Sequence, residues 1–240
     1  MNQDYALKVN NLTKSYGRLT AVRGLSFDVK SGEIFGILGP NGSGKTTTLE
    51  CVLGTRTRDT GDVSILGMDP NRDRRRLFQR VGVQFQDSAW QPGIRTAEIC
   101  EATACLYDPV PDWRESLKRI DLQKRESSAV ESLSGGERQK LSILLACIHR
   151  PALVFLDELT TGLDPIARRE TWEMIKEMQR DGTTVVLTSH FMDEVAYLCN
   201  RCLILRDGVK TAEGTVDEVQ AMGRGANLEE SYIALVGGTA

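Results

Sequence analysis

The sequence contains no apolar run long enough to form a membrane-spanning helix. Such a helix needs about 20 consecutive apolar residues, and no stretch of the chain approaches that length. The N-terminal segment 1–10 also lacks the pattern of a signal peptide. These two absences predict a soluble, cytosolic protein.

The sequence also lacks the cysteine spacing that is typical of a disulfide-bonded protein. The six cysteines form no framework, so we expect reduced, buried thiols at positions 51, 100, 105, 147, 199 and 202. Cys199 and Cys202 make a C-x-x-C pair, for which a redox or metal-binding role is one interpretation. A redox pair opens a helix after a strand, whereas this pair closes a predicted helix and enters a predicted strand. We therefore favour a structural interpretation.

The chain also lacks an excess of positive charge. Its formal net charge is −3, which argues against bulk electrostatic binding of nucleic acid. One basic run, from Arg72 to Arg80, offers contacts for phosphate or lipid headgroups. A solvated helix face is the interpretation that we prefer for this run.

Short apolar runs that alternate with helical patterns make up most of the chain. The first ~30 residues alternate in the manner of β-strands. Four later runs are typical of strands buried in a parallel sheet, at 33–38, 81–85, 153–156 and 185–188. Helical patterns separate them at 44–53, 165–180 and 191–198. The alternation predicts an α/β fold with a mainly parallel sheet.

One stretch interrupts this alternation. Between residues 86 and 151 the signals are mostly helical, and no convincing strand is present. We predict a single domain over 1–240, with an antiparallel β subdomain and part of the core in 1–86, an inserted helical subdomain in 87–150, the rest of the core in 151–225 and a tail in 226–240.

A phosphate-binding loop pattern follows the predicted strand at 33–38. The pattern G-x-x-x-x-G-K-[ST] occurs without a gap as Gly39, Pro40, Asn41, Gly42, Ser43, Gly44, Lys45 and Thr46. It lies between a strand and a helix, the context in which its backbone N–H groups wrap phosphates. Lys45 is expected to neutralise β and γ oxygens, and the Thr46 hydroxyl to reach Mg²⁺. A Gly-rich turn is the alternative.

The stretch Leu133-Ser134-Gly135-Gly136-Glu137 has two interpretations. Ser134 and Glu137 form a capping box, which by itself starts a helix. This leaves the glycines unexplained, because each costs a helix about 1 kcal/mol relative to alanine. Adjacent glycines indicate close approach to the backbone, and free N–H groups at a helix start suit a nucleotide phosphate.

Four polar features follow predicted buried strands. They are the loop that begins at Gly39, the side chain of Gln86, the pair Asp157–Glu158, and His190. The carboxyl ends of parallel strands meet at the edge where ligands bind, so we expect these features to lie together. Taken singly, Gln86 is also consistent with a loop amide, Asp157 with a helix cap, and His190 with a capped histidine in a turn.

Phosphoryl transfer gives each of these residues a role, because it depends on positioning and charge stabilisation. Asp157 is expected to hold Mg²⁺, with Thr46 and Gln86 also at the metal. Glu158 is expected to polarise or deprotonate an attacking water. We expect His190 to hydrogen-bond the γ-phosphate and Gln86 to sense the metal and the water together.

The stretch at 133–137 and the acidic pair together resemble those of the nucleotide-binding subunits of ABC (ATP-binding cassette) transporters, and the similarity runs nearly end to end. The resemblance implies a P-loop NTPase (RecA-like) fold and an ATPase that uses ATP and Mg²⁺. It implies catalytic roles for Glu158, His190 and Gln86. The residues that it brings to the nucleotide are Tyr16 on the adenine, the loop 39–46 with the next residue Thr47, the signature 134–137, and Asp164 of the D-loop. For Tyr16, plain packing is the alternative.

The chain departs from the family pattern at one position. Family members usually have proline after the catalytic glutamate, where this sequence has Leu159. Proline restricts its own backbone and that of the residue before it. We therefore expect the loop that carries Asp164 to be looser than in the family.

The resemblance also implies partners. The signature of one subunit would cover ATP held by another, in a dimer with a second copy or a related ATPase subunit. A separate transmembrane permease would hold the protein at the cytoplasmic face of the membrane, docking at about 87–94 and including Trp90, for which core packing is the alternative. The segments 214–219 and 227–235 look like those of drug- and antibiotic-export ATPases. A soluble ABC-type ATPase of translation or DNA maintenance, a regulatory ATP-binding subunit and an unrelated P-loop kinase or GTPase are the rival interpretations.

Overall fold

A computed structural model describes residues 4–85 and 90–237 of the chain. Its strands, in chain order, are β1 (Tyr5–Tyr16), β2 (Leu19–Lys30), β3 (Ile34–Leu38), β4 (Thr60–Ile65), β5 (Val81–Gln84), β6 (Leu153–Asp157), β7 (Thr184–Ser189), β8 (Arg201–Arg206) and β9 (Val209–Thr215). The helices are α1 (Lys45–Val52), α2 (Arg74–Leu77), α3 (Thr96–Ala104), α4 (Trp113–Arg119), α5 (Gly135–Cys147), α6 (Pro165–Arg180), α7 (Met192–Leu198), α8 (Val216–Gly223) and α9 (Leu228–Gly237).

The strands form two sheets. The smaller sheet is antiparallel, with the order β2-β1-β4. The larger sheet has the order β5-β6-β7-β3-β8-β9, in which only β9 runs antiparallel to its neighbour. Both the antiparallel N-terminal region and the mainly parallel core are therefore as predicted. Strand β4, which no sequence pattern had indicated, completes the smaller sheet.

Apolar side chains fill both faces of the larger sheet. On one face, the smaller sheet and α1 cover it, and the rings of Phe27 and Phe35 stack with centroids 5.7 Å apart. On the other face, α6, α7, α8 and α9 contribute to a second cluster with Ile34, Val154 and Leu187. Because helices or strands cover both faces, the central strands are apolar throughout rather than alternating.

The segment between the two β regions is helical, as predicted. Helices α3, α4 and α5 enclose a third apolar cluster. Helix α5 also reaches the core, since Leu141 and Leu144 belong to the helical cluster while Ile143 and Ala146 pack beneath the sheet. The helical region is thus joined to the core along the length of α5. Among the described residues, none of the helices combines the length and apolar character that a membrane crossing requires.

Candidate nucleotide-binding site

The loop from Gly39 to Thr46 connects β3 to α1, which is the context that its sequence pattern requires. Two of its glycines are needed for steric reasons. A Cβ on Gly39 would lie 2.4 Å from the carbonyl oxygen of Leu205. Gly44 has a φ of 104°, and a Cβ there would lie 2.4 Å from the carbonyl oxygen of Ala21. The loop therefore packs so closely against β8 and β2 that only glycine fits at these two points.

Lys45 is buried at the first position of α1. Its Nζ donates to the carbonyl oxygens of Gly39 (2.8 Å) and Pro40 (3.2 Å) and lies 3.5 Å from Glu158 Oε1. Burial lowers the pKa of Lys45, and the Glu158 carboxylate opposes that shift. An ammonium held at a helix N-terminus by backbone oxygens is well placed to exchange those partners for phosphate oxygens.

Asp157 is the last residue of β6 and is almost completely buried. Its Oδ2 lies 3.3 Å from Thr46 Oγ1, and its Oδ1 accepts a hydrogen bond from Thr188 Oγ1. Burial raises the pKa of Asp157, while the hydrogen bonds from Thr188 and Thr46 act in the opposite direction. A divalent cation would favour the ionised form, and a hydroxyl beside a buried carboxylate is a donor set that fits Mg²⁺.

Glu158 lies between the loop and the end of β7. One carboxylate oxygen faces Lys45, and the other lies 3.6 Å from Nδ1 of His190, beyond hydrogen-bond range. The backbone of Glu158 has a φ of 47°, in the left-handed region, and its N–H donates to Thr188 Oγ1 at 3.0 Å. This conformation aims the Glu158 side chain at the loop while Asp157 points to Thr46.

Thr188 is a site residue that sequence reasoning missed. It donates to the Asp157 carboxylate and accepts from the Glu158 backbone, so one hydroxyl holds both acidic residues. The contact exists because β6 and β7 are parallel neighbours whose register pairs Asp157 with Thr188. The sequence shows a threonine two residues before His190, but it does not show the register between β6 and β7 that places this threonine beside Asp157.

Tyr16 joins the same site from the smaller sheet. It ends β1, is 40% exposed, and lines a cavity of about 400 Å³. The other lining residues are Leu19, Ala21, Asn41, Gly42, Gly44, Lys45, Thr46, Thr47 and Glu158. The cavity thus combines an aromatic ring at one end with the phosphate-loop residues and a carboxylate at the other, an arrangement that suits a nucleotide.

A larger cavity of about 900 Å³ lies elsewhere, between α5 and α6. It is lined by Pro151, Ala152 and Thr183, at the amino ends of β6 and β7. Ligands of open α/β sheets bind at the carboxyl ends of the strands, and this cavity holds none of the predicted site residues. We therefore assign the nucleotide to the smaller cavity.

The signature residues lie at the start of α5, outside the lining of the nucleotide cavity. Ser134 caps the helix, accepting from Glu137 N–H at 3.2 Å, and the Glu137 carboxylate accepts from Ser134 N–H at 2.8 Å. Glu137 also pairs with Arg125 at 2.8 Å. The capping-box interpretation is therefore correct as a description of local structure.

The two signature glycines differ in what surrounds them. A Cβ on Gly136 would lie 2.8 Å from Cβ of Ala167 in α6, so packing within the chain explains this glycine. A Cβ on Gly135 would meet no atom of the described residues within 4 Å. Close approach by something outside the chain stays a prediction for Gly135 alone.

Asp164 caps the N-terminus of α6. Its Oδ1 accepts from the N–H groups of Ile166 (2.9 Å) and Ala167 (3.0 Å). Leu159 and Thr160, which precede it in the loop, are buried, and Thr160 Oγ1 donates to Glu194. The start of the loop is thus packed into the core despite the missing proline, whereas Thr161, Gly162 and Asp164 are exposed, and the looseness of this loop relative to the family stays a prediction.

Two predicted elements of the site remain to be located. Gln86 and residues 87–89 of the predicted docking segment lie outside the described residues, whereas Trp90 is partly buried against the helical cluster. The Cys199–Cys202 pair lacks the reactive thiols of a redox site, because burial raises the pKa of Cys202 to about 12 and raises the pKa of Cys199 well above its usual value. Such thiols stay protonated and unreactive.

A family profile, two characterised proteins and a solved structure are similar to this chain. A profile of the family described as "ABC transporter" matches residues 22–161. The linearmycin resistance ATP-binding protein LnrL of Bacillus subtilis is 35% identical over 87% of this chain and 69% of its own length. The Nod factor export ATP-binding protein I of Ralstonia nicotianae is 36% identical over 94% of this chain and 72% of its own length. A solved structure described as the ATP-binding subunit of an ABC transporter superposes with a TM-score of 0.87, at 27% identity over 96% of this chain and 99% of that one.

Proposed function

The chain belongs to the ABC transporter family of ATP-binding proteins, ATPases that power transport through a separate permease, and we propose that it drives export by the closing and opening of an ATP-bound dimer. The observation that carries the proposal is the convergence of charged and polar side chains at one edge of the larger sheet. Lys45 and Glu158 lie 3.5 Å apart, Glu158 and His190 3.6 Å, and Thr46 and Asp157 3.3 Å.

ATP is proposed to occupy the cavity between Tyr16 and the loop 39–46. The ring of Tyr16 would stack on the adenine, and the loop N–H groups and Lys45 would hold the phosphates. Thr46 and Asp157, with Gln86, would hold Mg²⁺, which supplies charge neutralisation at the phosphate oxygens. The support is that Tyr16, the loop and Asp157 come from separate chain segments and meet at one site.

Hydrolysis is proposed to use Glu158 as the general base. Its carboxylate lies beside Lys45 and close to His190, so it would accept a proton from water next to the terminal phosphate. His190 would hydrogen-bond that phosphate, and Gln86 would complete the ligands of the water. Positioning and charge stabilisation account for most of the catalysis in such a reaction.

Dimerisation is proposed to complete the site. Ser134, Gly135, Gly136 and Glu137 begin α5, whose N-terminus suits the phosphates of ATP bound to a partner subunit. Asp164 and the 74%-exposed side chain of Ile166 would lie in the same interface. ATP would bridge the two subunits, and loss of the terminal phosphate would let them part.

Export is proposed from the relatives, since linearmycin resistance and Nod factor export are the activities that their names record. The C-terminal segment, which resembles export ATPases in sequence, forms α8 and α9 against the second face of the core. A permease would dock near Trp90 and the helical region and hold the chain at the membrane surface. The relatives support transport over a role in translation or DNA maintenance.

The test is the substitution Glu158→Gln. We expect ATP binding to survive while turnover falls by a factor on the order of 10²–10⁴, the usual contribution of a general base. The variant should also accumulate as a dimer in Mg·ATP, measured by sedimentation. Glu177→Gln, at an exposed position of α6, is the matched control and should behave as the wild type. Phosphate release by Glu158→Gln at the rate of the control would refute the assignment.

A further inference from the structure

Three segments that the proposed reaction needs are joined inside the core by one carboxylate. They are the loop after Glu158, the helix α6 that begins after Asp164, and the helix α7 that follows His190. The carboxylate is that of Glu194 in α7, four residues beyond His190, and the residue is 1% exposed. The proposed hydrolysis gives this carboxylate no role.

Both of the hydrogen bonds to Glu194 reach the same oxygen. Thr160 Oγ1 donates to Oε1 at 2.7 Å, and Trp172 Nε1 donates to it at 3.0 Å. Thr160 lies two residues after Glu158, and Trp172 lies in the middle of α6. Oε1 of Glu194, in α7, therefore joins the loop between Glu158 and Asp164 to α6.

The surroundings of the Glu194 carboxylate make its burial unfavourable for stability. Thr160 and Trp172 are also buried, and the Trp172 ring stacks on Tyr197 with centroids 5.1 Å apart. The second oxygen, Oε2, is buried and has no hydrogen-bond partner among the described residues. An acidic group in such a place is less favourable than an apolar one of similar size. Stability alone does not explain the presence of Glu194.

We propose that Glu194 is a positioning residue for ATP hydrolysis, holding the loop 158–164 in a fixed place relative to α7 and His190. This inference rests on the proposed function. The left-handed backbone of Glu158 is held from the strand side by Thr188, and Thr160 anchors the chain two residues later. Leu159 between them is buried, so these hydrogen bonds fix the backbone at the start of the segment from Glu158 to Asp164.

The experiment removes each hydrogen bond in turn: Thr160→Val does so at nearly constant shape, whereas Trp172→Phe removes the indole N–H together with part of the ring. Thr160→Val and Trp172→Phe should each lower kcat roughly tenfold, the size of coupling expected between packed groups, with the Kd of ATP unchanged. Glu194→Gln keeps an acceptor at Oε1 and should retain most of the activity, whereas Glu194→Leu should lose it. Adding Thr160→Val to Glu194→Leu should cause no further loss, because both act through one oxygen.

Matched controls come from the helical region. Thr96→Val removes a buried hydroxyl that donates to Ser128 O, and Trp113→Phe alters another buried tryptophan. Both controls should keep the wild-type kcat at a similar loss of thermal stability. Full kcat in folded Thr160→Val and Trp172→Phe, or an equal loss in the controls, would overturn the role of Glu194. Absence of ATP hydrolysis by the wild type would instead refute the proposed function, and this inference with it.

Discussion

The two halves of the proposed ATP site differ in how far the chain itself completes them. Around the loop 39–46, the charged side chains contact other groups of the same chain. At the start of α5, a side chain placed on Gly135 would contact no described residue. Lys45 contacts two carbonyl oxygens and Glu158, and Asp157 contacts two hydroxyls. The loop side is assembled by the fold before any ligand arrives. The α5 side has its capping box and the ion pair of Glu137 with Arg125, but a Cβ on Gly135 would meet no atom of the described residues within 4 Å. This is the arrangement expected of a half-site that a partner completes.

The difference predicts that the two sides respond differently to substitution. Changes on the loop side should affect nucleotide binding by a single chain. Changes at the start of α5 should leave nucleotide binding by a single chain intact and affect association in the presence of ATP. Helix α5 connects the two sides, because its apolar residues pack both in the helical cluster and beneath the sheet.

The largest effect is expected for Lys45→Met. The substitution removes the buried ammonium while keeping the length of the side chain, and about 3 kcal/mol of charge-assisted hydrogen bonding to phosphate should be lost. The Kd of a fluorescent ATP analogue should rise on the order of 100-fold. Lys8→Met, on the exposed side of β1, is the control. An unchanged Kd in Lys45→Met would show that the nucleotide binds elsewhere.

A smaller effect is expected at the far end of α5, where acid should weaken the attachment of the helical region. His149 stacks on Tyr107 with ring centroids 3.8 Å apart, and burial lowers its pKa from 6.5 to about 4. In the unfolded chain His149 is therefore protonated below about pH 6.5, whereas in the folded chain it is protonated only below about pH 4. The free energy of unfolding should fall by roughly 2 kcal/mol from this group between about pH 7 and pH 5.

The measurement is urea unfolding at both pH values, with His149→Phe as the comparison. Phenylalanine keeps the stack on Tyr107 but cannot be protonated, so the variant should lose less stability on acidification than the wild type. Equal losses in the two proteins would mean that His149 is accessible to protons in the folded state.

The smallest effects come from the adjacent glycines of the signature, and they have opposite expected signs for the single chain. Gly136→Ala should lower the free energy of unfolding by about 1–2 kcal/mol, because its methyl group would meet Ala167. Gly135→Ala should leave it unchanged or raise it by up to about 1 kcal/mol through helix propensity. Thermal unfolding of the two variants measures this contrast.

Formation of the ATP-bound dimer provides a second test of Gly135. In a Glu158→Gln background, Gly135→Ala should weaken the ATP-bound dimer by about tenfold although the single chain is intact. Sedimentation in Mg·ATP measures the effect, and Gly135→Ser provides a larger side chain at the same place. Dimerisation as tight as in the parent protein would indicate that nothing approaches Gly135 closely.

Local patterns were sufficient for much of this protein. The loop 39–46, the cap at Ser134, the apolar strands and the bounds of α6 follow from short-range rules of backbone geometry, capping and periodicity. The convergence of Asp157, Glu158 and His190 also followed, because parallel strands end at the same edge of a sheet. Such features depend on neighbours in sequence or on the direction of a strand.

Contacts between distant segments were beyond reach of the sequence. Thr188 holds Asp157 and Glu158 only because of the register between β6 and β7, and Glu194 meets Thr160 and Trp172 only because α6 and α7 pack side by side. Register and helix packing depend on how side chains fill a shared interior. That interior exists only in the folded chain, so the sequence specifies the reacting groups while the packing of its elements sets the hydrogen bonds that hold them.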